Sequence, residues 1–312
     1  KAIVTLAKET RLYECPYDWR RALDWNAARL AGLLERWASA TPSRRFVLVA
    51  HSMGGLVALS YLALYPREAE RRIARLIMLG TPLRGAAAAV AMFQGTAMPV
   101  RVVARLHPNN DMGRLVRSMP AAYQLLPAPP DCFPAERAYP ANWDLYDPTA
   151  WPVPMRPDYL AQAARHWRRL AAADPQVELV EIAGCHQSTV TDILRRDAKE
   201  APGATYEEVF RETGDDSGDE QVPLWSTRLP GVHTYYVEEA HQMLPSNNAV
   251  LAAVVSLVHG GQPELPDSVP PPRHLITRLR MAPLAQRAAE LRERLEQGEY
   301  SREDLWRLFL GE

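Results

Sequence analysis

The chain has 312 residues, 36 Lys and Arg against 37 Asp and Glu, 47% apolar and 23% charged residues. That composition suits one large soluble domain or two small ones, and a net charge of −1 excludes the global field of a broad nucleic-acid or polybasic membrane binder. Three cysteines (Cys15, Cys132, Cys185) without a CxxC pair exclude a disulfide framework and a cysteine-based zinc site, and no metal or organic cofactor is implied.

In chain order, Ala2 to Leu6 is an apolar run that predicts a short strand. Tyr13 to Arg20 is aromatic and polar and carries Pro16, which predicts an ordered loop. Leu23, Ala27, Leu30, Leu33, Leu34 and Trp37 fall at helical spacing, predicting an amphipathic helix over 21–38, broken by Thr41-Pro42-Ser43. Phe46 to Ala50 is a continuous apolar run, as in a strand buried on both faces, and a helix follows over 53–65. Further strands are predicted at Ile73 to Leu79, Val177 to Ile182 and His233 to Val237, with a helix from about Ser246 to Val258. Buried strands alternating with helices read as an α/β fold with a mostly parallel sheet.

Between Leu83 and Asp174 the rhythm stops. A long stretch rich in Pro, Ala, Met and Trp predicts a cap or lid inserted at about 85–174. Residues 200–222, acidic and Gly/Asp-rich, read as loop. The main domain is placed at 1–261, a Pro-rich linker at 262–273 and a helical tail at 274–312. In the tail a helix begins at Pro283 and ends near Gly298, and Ser301-Arg302-Glu303-Asp304 resembles a capping box. Its Leu/Trp face packs on the body or meets a protein partner. No run of 18 apolar residues predicts a membrane-spanning helix. The chain opens on Lys1 rather than Met, so an authentic start upstream is expected. Few cysteines and no visible leader favour a cytoplasmic compartment.

The chemistry is carried first by Ala50-His51-Ser52-Met53-Gly54-Gly55. It stands between a buried strand and a helix, the context of a nucleophile elbow. Small residues two before and two after the serine, Ala50 and Gly54, let strand pack on helix. Ser52 then projects at a helix N-terminus, and the Met53 N–H is a candidate oxyanion donor. A serine nucleophile needs a base, and the base needs an orienting acid. Of eight histidines, His241 has the right placement, in a loop after the last strand and before a helix. The acid falls in Gly214 to Pro223. Asp219 is preferred because Val222-Pro223 would seat its loop against the core, with Asp215 and Asp216 as rivals. The adjacent Cys185-His186 pair does not face itself and carries little weight as a thiol–imidazole site.

These segments resemble the lecithin:cholesterol acyltransferase family of α/β hydrolases. The resemblance rests on Pro16-Tyr17-Asp18-Trp19-Arg20, the elbow at Ser52, Gly80-Thr81-Pro82-Leu83-Arg84-Gly85, Met119 to Pro127, and Gly218-Asp219-Glu220-Gln221-Val222-Pro223 with His241. It covers roughly residues 13–258. That family commonly has Gly-Asp-Gly-Thr-Val-Pro at the acid, from which Glu220-Gln221 departs. The resemblance implies an α/β-hydrolase fold and a Ser52–Asp219–His241 triad. The implied activity is a serine acyl hydrolase or acyltransferase on lipid-type esters, with a membrane surface as one place to meet them; the near-neutral charge already argues against a nucleic-acid partner. It also implies a second oxyanion donor upstream of the Tyr-Asp-Trp-Arg segment, where the twelve residues before Tyr13 show no glycine-rich loop. The alternatives are an inactive hydrolase fold that binds a ligand or partner, and a hydrolase of amides or thioesters.

Overall fold

The structure is a computed structural model that describes residues 1–42, 45–95, 112–133, 143–197 and 204–272. The two tail helices expected after Pro283, and the parts of the expected cap at 96–111 and 134–142, lie outside the described residues.

Four strands form a parallel sheet in the order β1 (Phe46–His51), β2 (Ile73–Leu79), β3 (Glu178–Gly184) and β6 (Val232–Val237). Four of the five runs predicted as strands are these four. Their β-branched and aliphatic side chains pack on both faces, as a parallel sheet requires. One face is covered by α2 (Leu23–Ala40) and α3 (Met53–Leu64), where Leu30, Leu34, Tyr61 and Leu62 meet Leu76 and Met78. The other is covered by α1 (Ala2–Glu9) and α9 (Asn248–Val258), where Leu6, Val250 and Val254 meet Ile77, Val180 and Ile182. A short helix, α4 (Pro66–Arg72), returns the chain from α3 to β2. The result is an α/β-hydrolase fold with a parallel sheet between helices and with extra helical elements.

The extra elements follow β2. Helices α5 (Ala87–Gln94), α6 (Met112–Arg117), α7 (Pro120–Tyr123) and α8 (Pro157–Ala172) lie between β2 and β3. They share an aromatic core in which Phe93 sits 4.6 Å from Tyr123 and 5.6 Å from Trp151, and Trp143 sits 5.0 Å from Trp151. The indole N–H groups of Trp143 and Trp151 donate to the carbonyls of Ile193 and Leu145, so these large rings are buried without orphaned donors.

Two expectations are corrected. Ala2 to Leu6 is helix, not strand. A five-residue apolar run does not separate the two by pattern. In the helix Leu6 is buried against α9, Ile3 and Val4 stay exposed, and Lys1 Nζ donates to Asn248 Oδ1 at 2.6 Å. Residues 200–222 are not all loop. β4 (Thr189–Asp197) and β5 (Ala204–Arg211) form an antiparallel hairpin. The glutamates of β5 hide its alternation, but Tyr206 turns into the aromatic core, 5.2 Å from Trp143, and Glu207 pairs with Arg196 across the hairpin.

Beyond α9, residues 262–272 run along the outer edge of β6. The Tyr236 N–H donates to the Pro266 carbonyl at 2.9 Å, and Val269 packs on Cys185, Leu224 and Tyr236. Among the described residues no helix is long and apolar enough to cross a membrane.

Candidate active site

The carboxyl ends of all four parallel strands converge on one spot, the usual place for ligands in open α/β sheets. β1 ends in His51 and leads through Ser52 into α3. β2 ends at the Gly80-Thr81 turn. β3 leads, after the hairpin, into the Gly218 to Val222 loop. β6 leads into a 3₁₀ turn, His241–Ser246.

Ser52 has φ 56° and ψ −131°, a left-handed conformation that a non-glycine residue holds only under constraint. The constraints are visible. The Ser52 N–H donates to Leu79 O at 2.9 Å. The Ser52 carbonyl accepts from Gly55 N–H at 3.0 Å and from Thr81 Oγ at 3.1 Å. The tight position in the elbow is Gly55 rather than Gly54. A Cβ on Gly54 would stand 3.7 Å from Ala50 Cβ, an ordinary contact, whereas on Gly55 it would stand 2.1 Å from Thr81 Oγ1. Met53 opens α3, so its N–H has no intrahelical acceptor.

His241 is buried and is held through both main chain and ring. Its N–H donates to Asp219 O at 2.7 Å, and its carbonyl accepts from His51 Nε2 at 3.0 Å. Its Nδ1 lies 2.7 Å from Asp219 Oδ2, and its Nε2 lies 2.9 Å from Ser52 Oγ. A carboxylate oxygen accepts, so Nδ1 carries the proton, and the neutral ring leaves Nε2 free to accept from the serine hydroxyl. Asp219 is buried, and its other oxygen, Oδ1, accepts from the N–H groups of Gln221 at 3.1 Å and Val222 at 2.7 Å. Both carboxylate oxygens are therefore fixed. Glu220, between Asp219 and Gln221 in the chain, has φ 86°. The position where the family pattern carries glycine is therefore in the left-handed region in this chain.

The structure brings Ser52, His241 and Asp219 together. It leaves Asp215 and Asp216 exposed, with Asp215 paired to Arg228 at 2.8 Å. His186 stands apart: its Nε2 donates to Pro270 O, and its Nδ1 accepts from Gly214 N–H. Cys185 is buried, with its thiol turned to Val237 O.

Three features were not read from the sequence. His51 lies with its ring 4.8 Å from that of His241; burial and then the neighbouring imidazole lower its pKa. Gly80, at φ 57°, leaves no room for a side chain beside Asp219 Oδ2 and His241 Nδ1. Glu181 is fully buried in mid-β3, and its Oε1 accepts from Thr81 N–H at 2.9 Å. A Gly-Thr pair closing a buried strand was the available signal for the second. A glutamate inside an apolar strand was the signal for the third.

Set against known proteins, residues 6–249 match the family model described as lecithin:cholesterol acyltransferase. Among solved structures, the chain is similar to one described as the Tle4–Tli4 complex, at 17% identity and TM-score 0.53. That match covers 77% of this chain and 66% of the other, just under two thirds of its length. It is also similar to the mature form of the Bacillus licheniformis lipase BlEst2, at 17% identity and TM-score 0.42, covering 76% of this chain and 75% of that one. At such identity the first likeness concerns the fold alone. No curated protein matches the chain.

Proposed function

We propose that this chain, which belongs to the lecithin:cholesterol acyltransferase family, is a serine acyl hydrolase or acyltransferase acting on lipid-type carboxylic esters. The observation that carries the reading is the continuous hydrogen-bonded relay from Ser52 Oγ through His241 to Asp219, at 2.9 and 2.7 Å. A nucleophile, a base and an orienting acid within hydrogen-bond reach are what acyl transfer through a covalent intermediate requires.

In this reading Ser52 Oγ attacks the ester carbonyl while His241 Nε2 takes its proton. The tetrahedral oxyanion faces the Met53 N–H at the positive end of α3. His241 returns the proton to the departing alkoxide, and the acyl group stays on Ser52. A water or an alcohol then attacks the acyl-enzyme with His241 again as base, the bond from the acyl carbon to Ser52 Oγ breaks, and His241 returns the proton to Ser52 Oγ. Water gives hydrolysis and an alcohol gives transfer. Asp219 holds the Nδ1 proton and stabilises the imidazolium as it forms. Family membership supports an ester of lipid type. A substrate presented at a membrane surface fits such an ester, and that docking mode is part of the proposal.

The test is labelling by a fluorophosphonate, followed by turnover of p-nitrophenyl esters of increasing chain length and of phospholipids. Labelling at Ser52 that disappears in Ser52→Ala and His241→Ala, with ester turnover lost in parallel, is the expected result. Stoichiometric lipid binding without labelling or product turns the reading into a binding protein built on a hydrolase fold. Preferred turnover of amides or thioesters moves the substrate class.

A further inference from the structure

We propose that Glu181 is a positioning residue for this site: it grips the Gly80-Thr81 turn from below, and that turn seats Ser52 on one side and the His241–Asp219 pair on the other. The inference rests on the reading of Ser52 as nucleophile and deepens it.

The chain of contacts is short. Glu181 stands opposite Met78 in the β2–β3 register, one residue short of the strand's last paired position, and its side chain reaches past the end of β2. There Oε1 accepts from Thr81 N–H at 2.9 Å. The same Thr81 donates its hydroxyl to the Ser52 carbonyl at 3.1 Å, and Thr81 occupies the space that the missing side chain of Gly55 leaves open. Its neighbour Gly80 donates to Ile182 O at 3.0 Å and stands directly against Asp219 Oδ2, His241 Nδ1 and Leu244 Cδ1. One two-residue turn therefore touches the elbow, the base and the acid. Glu181 is the side chain that holds its free N–H.

Packing does not account for a glutamate here. Among the described residues Oε2 has no hydrogen-bond partner, and a buried carboxyl without a cation is less favourable than a Met or Leu of similar volume. What the carboxyl supplies is an acceptor at the one point where the Thr81 N–H needs it. Burial raises its pKa well above the ordinary carboxylate value, and the negative charge of Asp219 pushes the same way.

The test compares the full chain with Glu181→Met, Glu181→Gln and Thr81→Val. Three readouts are followed: the rate of fluorophosphonate labelling, kcat and KM on p-nitrophenyl butyrate, and the downfield proton resonance of His241 Nδ1–H. Glu181→Met removes the acceptor at nearly constant volume. Its labelling rate and kcat are expected to fall about 10- to 100-fold, in the range set by small misplacements of reacting groups. KM is expected to stay near native and the downfield resonance to shift. Glu181→Gln keeps an acceptor oxygen and restores most of the loss. Thr81→Val, which removes only the hydroxyl clasp on Ser52, slows labelling and leaves the resonance in place. A folded Glu181→Met with native labelling, native kcat and an unmoved resonance overturns the inference. If Glu181→Met does not fold, native labelling in Thr81→Val overturns it, and slowed labelling there with native-like rates in Glu181→Gln supports it. A native chain that never labels sinks the nucleophile reading instead; the resonance in Glu181→Met and Glu181→Gln then still decides whether Glu181 positions the His241–Asp219 pair.

Discussion

Replacing Gly80 by alanine separates two contributions that the site combines. Gly80 has φ 57°, and the left-handed conformation costs a residue with a side chain about 1–2 kcal/mol. A Cβ there would also stand 2.8 Å from Leu244 Cδ1, 2.9 Å from Asp219 Oδ2 and 3.1 Å from His241 Nδ1. Relieving such overpacking typically costs a further ~1–3 kcal/mol. Gly231, at φ 79°, is the matched control, because a Cβ there meets nothing within 4 Å. Both substitutions share the backbone contribution and the change in unfolded-chain entropy, so the difference between them isolates the contacts. For a chain of this size ~1–3 kcal/mol corresponds to a Tm about 2–6 °C lower for Gly80→Ala than for Gly231→Ala. Thermal unfolding by circular dichroism gives that difference, and fluorophosphonate labelling shows where it acts. Gly80→Ala is expected to label at least about tenfold more slowly, whereas Gly231→Ala keeps the native rate. Equal Tm losses, or native labelling in Gly80→Ala, would refute the claim that this turn is wedged against the His241–Asp219 pair.

Other outcomes follow from the same structure. Glu181 has a raised pKa because it is buried, so above its ordinary value of 4.5 the native state binds a proton that the unfolded chain releases. Stability is therefore highest below pH 4.5 in this respect and declines as pH rises toward the native-state value, by at most about 1.4 kcal/mol per pH unit. Denaturant titrations across pH should show this slope flattened in Glu181→Gln, and an identical pH profile counts against it. His51 has the opposite sign: its pKa is lowered from 6.5 by burial and by His241, so its contribution is lost as pH falls below 6.5. His51→Gln should weaken that acid sensitivity while lowering the labelling rate, since it disturbs a bond that fixes the His241 carbonyl; unchanged acid sensitivity would contradict the assignment. Glu220→Gly relieves a left-handed glutamate at φ 86° and is expected to raise stability by up to about 1 kcal/mol, read as a small rise in Tm. A fall in Tm argues that the Glu220 side chain holds the loop.

The parallel sheet was legible because helices cover both of its faces, so Phe46 to Ala50 stands out as an unbroken apolar run and Ile73 to Leu79 as one interrupted only by Arg75. The elbow was legible for a related reason: a small-residue turn after such a run has few other uses. Ala2 to Leu6 misled because a short apolar run fits either element, and the decision belongs to α9, about 250 residues away. Ala204–Arg211 was hidden because its partner strand and aromatic core, not its own composition, make it a strand. Within the site the residue types and chain order of Ser52, Asp219 and His241 are readable, but their distances are not. Glu181 and Gly80 show in the sequence only as a glutamate inside an apolar strand and a Gly-Thr pair closing one; the backbone N–H and the empty volume through which they act are not readable there.

Ser52 and His241 are 189 residues apart in the chain, and Asp219 reaches His241 only after the β4–β5 hairpin has been set aside. No local segment contains the relay, and closing loops of that length comes late when a chain organises itself. A molecule that has built its helices and the hairpin but not seated β6 beside β3 holds all three side chains and no relay. If Ser52 is the nucleophile proposed above, its labelling counts molecules that have completed the whole sheet. In a refolding experiment its time course is then expected to lag secondary structure, and damage to α9 or β6 is expected to slow labelling of a serine far from both in the chain.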